Sequence, residues 1–112
     1  MDIEVMGTEM TVVRLSGRLD SSTSGDVMDQ LSAVVQKMSP RIVLNLENVT
    51  FMSSAGLRSI LVAAKLAQSS GGQMRMCCPR PLVSEILINS GFSNIIHIDT
   101  SEEQAIASLR RD

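Results

Sequence analysis

Two adjacent serines, Ser53 and Ser54, are the residues of this chain whose type and position most directly suggest chemistry. The run 41–46 before them is apolar and β-branched, which is typical of a buried strand. After them, apolar residues recur at helical spacing, at Leu57, Ile60, Leu61 and Ala64. The serines therefore fall at a helix N-terminus, where unpaired backbone N–H groups and the helix dipole favour either a hydroxyl cap or a phosphate.

A serine between a strand and a helix is also the arrangement of hydrolase nucleophiles, so an enzyme is the first alternative. That signature needs a glycine two residues before the serine, and Met52 stands there; Gly56 matches only its second half. The sole histidine, His97, lies on or near a predicted strand, and the spacing supplies no base with an orienting group. No glycine-rich phosphate loop is present. We therefore expect a protein that is not an enzyme and needs no cofactor.

The composition narrows the classes of partner. The 112 residues suffice for one domain, spanning 1–112, and carry a net charge of −2 without a basic block, which argues against nucleic acid and anionic membranes. Two Phe and no Tyr or Trp leave no stacking platform for single-stranded nucleic acid. No apolar run approaches the length of a membrane span, and the N-terminus lacks the basic start of a signal peptide, so we expect a cytoplasmic protein.

The cysteines, Cys77 and Cys78, are neighbours in the sequence. A disulfide between neighbours strains the intervening peptide, so we expect two reduced thiols at the end of a strand. With only a distant His97 to add to them, they fall short of the four ligands of a structural zinc site, and no metal site is predicted.

The hydrophobic periodicity predicts an element order of ββαβαβαβα. The predicted strands are about 3–6, 10–16, 41–46, 73–77 and 95–98. A hairpin turn at Gly7-Thr8-Glu9 joins the first two, and helices follow the polar cluster 21–24, the serine pair, Pro81 and the capping-box residues 100–104. Right-handed crossovers through the helices make the central strands parallel and leave the first strand as an antiparallel edge. The fold class is therefore α/β.

Parallel strands end at one edge of a sheet, where binding sites usually form. Asp20 follows the second predicted strand, so we expect one surface that contains Asp20, Ser21, Ser22, Thr23 and Ser54, with Arg58 at its rim. Asp20 either orients the Ser54 hydroxyl, contacts a partner or closes a turn. Arg58 is either a partner contact, a counter-charge to a phosphate or a solvated side chain. Gly56 could serve packing alone, because its missing side chain lets the helix approach a neighbouring strand closely.

Three segments of the chain together resemble the STAS domain family, named for sulfate transporters and anti-sigma factor antagonists, and in particular the free-standing bacterial antagonists. The segments are Leu15-Ser-Gly-Arg-Leu-Asp20 followed by Thr23; Val43-Leu-Asn-Leu46 with Val49, Phe51 and Ser53 through Leu57; and Ser90-Gly-Phe with Ile98, Glu102, Glu103 and Ala105. They occur in the family's order over nearly the whole chain. The resemblance implies a STAS-like α/β fold, with a mixed sheet of about five strands and about four helices.

The resemblance also implies a function. Ser54 aligns with the phosphorylation site of the antagonists, with Ser53 as the alternative. The implied partners are a histidine-kinase-like serine kinase that doubles as the anti-sigma factor, and a metal-dependent serine phosphatase. The unmodified chain would bind the kinase and free its client, and phosphorylation would end that binding. Separately from the resemblance, the sequence has no coiled-coil pattern and no apolar interface stripe, so we expect a monomer. The implied partner-binding residues are Asp20, Ser21, Ser22, Thr23, Ser53, Ala55, Gly56 and Arg58.

The chain departs from the family pattern at four positions. Arg18 and Ser53 stand where the family has acidic residues, Asn45 replaces an aspartate, and Ala55 follows the aligned serine. Two other functions remain open at this point. The first alternative is a STAS subunit that binds a permanent partner without phosphorylation, as in lipid-transport ATPase complexes. The second is a partner switch whose output is not a sigma factor.

Overall fold

The computed structural model describes residues 2–6 and 9–110. Its elements, in chain order, are β1 (Asp2–Met6), β2 (Met10–Leu19), α1 (Ser24–Lys37), β3 (Arg41–Met52), α2 (Ser54–Ser69), β4 (Gln73–Cys77), α3 (Pro81–Asn89), a 3-10 turn (Phe92–Asn94), β5 (Ile98–Asp99) and α4 (Glu102–Arg110). This order confirms the predicted alternation of strands and helices.

The strands form a five-stranded mixed sheet in the order β1-β2-β3-β4-β5. β1 pairs with β2 antiparallel, and the other three pairings are parallel. The predicted α/β class and the antiparallel edge strand are therefore confirmed. The flanks of the predicted hairpin pair Met6 with Met10, but Gly7 and Thr8 of its turn lie outside the described residues.

The sheet has a larger and a smaller hydrophobic core on its two faces. The larger core lies under α1, α2 and α3 and includes Leu31, Leu44, Ile60 and Leu87, all fully buried. The smaller core lies under α4 and contains Met10, Val12, Val43, Cys77, Ala105 and Leu109. Cys77 ends β4, and both cysteines are free thiols, as predicted.

β2 and β3 are longer than the sequence predicts. The prediction ended β2 at Ser16 and β3 at Leu46, but the two strands stay paired as far as Leu19 and Met52. Gly17, with φ +79°, and two register shifts bend the pair without ending it. Val49 and Met52 stay buried in the larger core, which holds the extension in place. The end of this two-stranded extension carries the serines.

The last strand is shorter and later than the predicted 95–98. After Gly91, with φ +81°, the chain forms the 3-10 turn, and Ile95 and Ile96 both donate backbone hydrogen bonds to Phe92. The turn buries Phe92 and Ile96 and leaves Ile95 60% exposed. Phe92 and Ile96 therefore pack in a turn rather than in an extended strand, and β5 begins only at Ile98.

Candidate functional site

Ser53 is the N-cap of α2. Its Oγ accepts a hydrogen bond from the backbone N–H of Gly56 at 3.3 Å. Its own N–H donates to the Leu19 carbonyl at 2.8 Å, and its carbonyl accepts from the Leu57 N–H at 3.0 Å. The Ser53 N–H therefore ties the start of α2 to the end of β2, while its Oγ and carbonyl accept hydrogen bonds from the first turn of the helix.

Ser54 is the first residue of α2, and its side chain is exposed. Within residues 2–6 and 9–110, no hydrogen bond involves its hydroxyl. At the first helical positions the backbone N–H groups have no intrahelical acceptor, and the N–H of Gly56 is already taken by Ser53. Ser54 thus presents a free hydroxyl beside unpaired donors and the positive end of the helix dipole.

Gly56 fixes how closely α2 approaches β2. A Cβ at this position would lie 2.3 Å from the carbonyl oxygen of Leu19, closer than any side chain tolerates. Gly56 is buried and Ala55 beside it is half-buried. The predicted packing role of Gly56 therefore agrees with its surroundings, and it places the serines directly against the end of β2.

Asp20 closes the turn that leads into α1. Its Oδ1 accepts hydrogen bonds from the Ser22 hydroxyl at 2.6 Å and the Ser22 N–H at 3.0 Å, and its N–H donates to Thr23 Oγ1 at 3.0 Å. These hydrogen bonds from Ser22, with the nearby Arg18 guanidinium, lower the pKa of the Asp20 carboxyl. In the part of the chain that is described, Asp20 makes no hydrogen bond to Ser54.

The turn and the serine pair lie at one edge of the sheet. Leu19 pairs with Met52 across β2 and β3, so the residues that follow them, Asp20 and Ser53, leave the sheet side by side. Ser21 and Ser22 are exposed, and Thr23 is half-buried with its Oγ1 donating to the Arg18 carbonyl at 3.0 Å. Arg58 is exposed and lies one turn after Ser54, on the same side of the helix.

The side-chain contacts of Asn45 explain why this chain has an asparagine where the family pattern has an aspartate. Asn45 is 5% exposed, and its Nδ2 donates to Glu102 Oε1 at 3.0 Å while its Oδ1 accepts from the Glu47 N–H at 2.8 Å. Arg14 donates to both carboxylate oxygens of Glu102, at 3.1 and 3.0 Å. An aspartate at position 45 would face Glu102 with a second carboxylate. Sequence reasoning missed this cluster, although an arginine inside a strand, Arg14, was a signal for it.

Arg18, which stands where the family pattern has an acidic residue, also has contacts that explain its presence. Its guanidinium carbon lies 4.5 Å from the centre of the Phe51 ring, and its Nε is 3.5 Å from Asp20 Oδ2. Arg18 thus stacks on the extension of β3 and stabilises the ionised form of the turn carboxylate.

One groove lies away from the serine edge. This groove of about 590 Å³ runs between β5 and α4, where Arg75 and Asp99 form a bidentate pair at 2.9 and 3.1 Å.

Within the described residues no three potential ligands come together that could hold a metal ion. No helix in the described ranges is long and apolar enough to cross a membrane.

Comparison with known proteins identifies the family. A family model of the STAS domain matches residues 2–105. An anti-sigma F factor antagonist of Paenibacillus polymyxa is 40% identical over 99 residues, which cover 88% of this chain and 85% of that protein. The anti-sigma factor antagonist SpoIIAA in its unphosphorylated form has a TM-score of 0.82 at 28% identity, covering 99% of this chain and 96% of SpoIIAA. Phosphorylated SpoIIAA of Bacillus has a TM-score of 0.72 at 27% identity, and the match covers 96% of this chain and 97% of that protein.

The chain belongs to the STAS domain family. The resemblance drawn from three sequence segments is thereby confirmed over most of the chain, and the STAS-like fold with it.

Proposed function

We propose that this protein is an anti-sigma factor antagonist that works as a partner switch. The unmodified chain binds a histidine-kinase-like serine kinase that is also the anti-sigma factor, and the kinase then releases its sigma factor. Phosphorylation of Ser54 ends the binding, and a metal-dependent serine phosphatase restores it. The chain is the substrate of these enzymes rather than an enzyme, and it acts as a monomer in the cytoplasm. The antagonist names of the Paenibacillus relative and of SpoIIAA support this function.

The proposal rests on one observation, which is that the hydroxyls of Ser53 and Ser54 differ in their hydrogen bonding. The Ser53 hydroxyl is occupied as the cap of α2, whereas the Ser54 hydroxyl is exposed and free within the described residues. A kinase can therefore modify the Ser54 hydroxyl without breaking a hydrogen bond that this hydroxyl makes in the described part of the chain. The Ser53 Oγ already accepts a hydrogen bond from the Gly56 N–H, so a phosphoryl group added there would have to rearrange the first turn of α2. These contacts favour Ser54 over Ser53 as the modified residue.

A phosphate at this position changes the surface more than the fold. It brings about −1.5 to −2 charges and three strong acceptors. The free N–H groups and the dipole of α2 receive such an anion favourably. A partner packed over the same spot must instead desolvate the anion or leave its contacts. An interface penalty of about 3–4 kcal/mol lowers affinity several hundred-fold, which suffices for exchange of partners.

Mass spectrometry of the protein from its own cells, across growth and stress conditions, tests the modification. We expect one phosphate on Ser54, lost in Ser54→Ala and retained in Ser53→Ala. A phosphate on Ser53 in the wild type would move the switch by one residue. Protein that is unmodified in all conditions, and that co-purifies with an ABC-type ATPase, would contradict the proposal and indicate a permanently bound STAS subunit.

A further inference from the structure

The exposed face of α2 carries positive charge. Arg58, Val62 and Lys65 follow Ser54 at spacings of three and four residues, so all four side chains lie along one side of the helix. Arg58 and Lys65 are exposed, and Val62 between them is 42% exposed. We call Arg58, Val62 and Lys65 the α2 face. An apolar side chain flanked by two cations is a surface suited to a partner with the opposite arrangement.

No carboxylate on α2 balances these cations. The sequence contains no Asp or Glu between Glu47 and Glu85. The other cations in that interval have partners, since Arg75 pairs with Asp99 and Arg80 donates to the Glu47 carbonyl. Among the described residues, neither Arg58 nor Lys65 forms an ion pair. The α2 face is therefore locally cationic on a molecule whose net charge is −2.

We infer that the α2 face docks against an acidic surface of the kinase, and that the phosphate on Ser54 ends binding by cancelling the charge of that face. The inference rests on the proposed function and adds the chemistry of the partner surface. Two cations around one apolar residue fit acidic side chains that surround an apolar contact. They are too few for the phosphate backbone of a nucleic acid, which proteins bind with many more cations.

The spacing of the residues explains why the phosphate is effective. Ser54 and Arg58 are four residues apart, with the serine nearer the N-terminus, which is the favourable order for an anion and a cation on a helix. A phosphate on Ser54 therefore pairs with Arg58 within the helix. The charge of the α2 face with Ser54 falls from +2 to about zero, because the phosphate contributes about −1.5 to −2. The partner's acidic groups then lose a cation and meet an anion.

The test uses the kinase that co-purifies with the unmodified chain from its own cells. Association and dissociation rates are measured over a range of salt concentrations for the wild type, Arg58→Gln, Lys65→Gln and the double variant. Lys37→Gln, an exposed lysine in the last turn of α1, is the matched control. We expect each single variant to bind about threefold to fivefold more weakly, mainly through slower association, and the double variant to show a reduced salt dependence. The control binds like the wild type.

The outcomes separate this inference from the function on which it rests. If the double variant binds within twofold of the wild type, while phosphorylation of Ser54 still abolishes binding, the acidic docking surface is wrong and the switch stands. If no such kinase co-purifies, or phosphorylated protein binds unchanged, the proposed function is overturned and the inference falls with it. Thermal melts of the variants serve as the folding check, since both side chains are exposed and unpaired within the described residues.

Discussion

Ser53 and Ser54 are chemically identical and adjacent, yet the fold uses them differently. The sequence places both at the start of a helix, where a serine at either position could serve as the N-cap. The choice depends on where β2 ends, because the Ser53 N–H bonds to the Leu19 carbonyl and sets the first turn of α2. That contact joins residues far apart in the chain, so local spacing alone leaves the two serines equivalent.

Alanine substitution separates the two roles. Ser53→Ala removes the cap of α2 and is expected to lower the free energy of unfolding by about 1 kcal/mol. Ser54→Ala removes an exposed hydroxyl without a partner in the described chain, and we expect a change within about 0.5 kcal/mol. Urea denaturation of both variants measures this. Equal losses, or a larger loss for Ser54→Ala, would contradict the assignment of the cap.

Gly56→Ala tests the contact between α2 and β2. The added methyl group would meet the Leu19 carbonyl, so we expect a net loss of about 1–2 kcal/mol, since overpacking outweighs the gain in helix propensity. Gly25→Ala, in α1 with nothing within 4 Å of the added Cβ, is the matched control and should stabilise by about 0.5–1 kcal/mol. Urea denaturation compares the two. A neutral Gly56→Ala would show that the helix and the strand are not held so closely.

At the scale of elements, the sequence predicts the number, type and order of the strands and helices, because amphipathic periodicity and the glycine and proline stops are local signals. It does not predict the last residues of β2 and β3, which stay extended because they pair with each other and because Val49 and Met52 are buried in the larger core. The hold of α4 on the sheet is equally non-local, since Asn45 and Glu102 are 57 positions apart. The site therefore depends on contacts that periodicity does not encode.

Restoring the family's aspartate at position 45 is expected to destabilise this chain. Asn45→Asp replaces the amide donor to Glu102 with a carboxylate in a buried position. We expect a loss of about 2 kcal/mol at neutral pH, from the lost hydrogen bond and the repulsion of like charges. Chemical denaturation measures the loss. The double variant Asn45→Asp, Glu102→Gln should recover part of it, and no recovery would show that the two side chains do not interact.

The same cluster makes stability depend on pH. Burial raises the pKa of Glu102, but hydrogen bonds from Arg14 and Asn45 outweigh it and the net pKa is lowered. The stabilisation by the ionised carboxylate is thus complete above the ordinary carboxyl pKa of about 4.3 and is lost as the pH falls through the lower folded value. The wild type should exceed Glu102→Gln in unfolding free energy at pH 7, and the difference should shrink toward pH 3. A constant difference in denaturation experiments would contradict this.

At the scale of the whole molecule, the proposed switch acts through surface charge rather than through a change of fold. The Ser54 hydroxyl holds no other residue in place within the described chain, so its modification breaks no hydrogen bond there. The serine edge lies at the end of the β2–β3 extension, and the cationic α2 face continues from it on a molecule of net charge −2. A single phosphate can therefore change what binds this surface while the sheet and both cores persist.

The affinity of the kinase for matched unmodified and Ser54-phosphorylated protein is the most direct test of the central claim. Both samples carry Ser53→Ala, so that Ser54 is the only serine of the pair. We expect the unmodified protein to bind, and the phosphate to weaken binding several hundred-fold, which corresponds to about 3–4 kcal/mol. Equal affinities for the two forms would contradict the account of Ser54 as the switch.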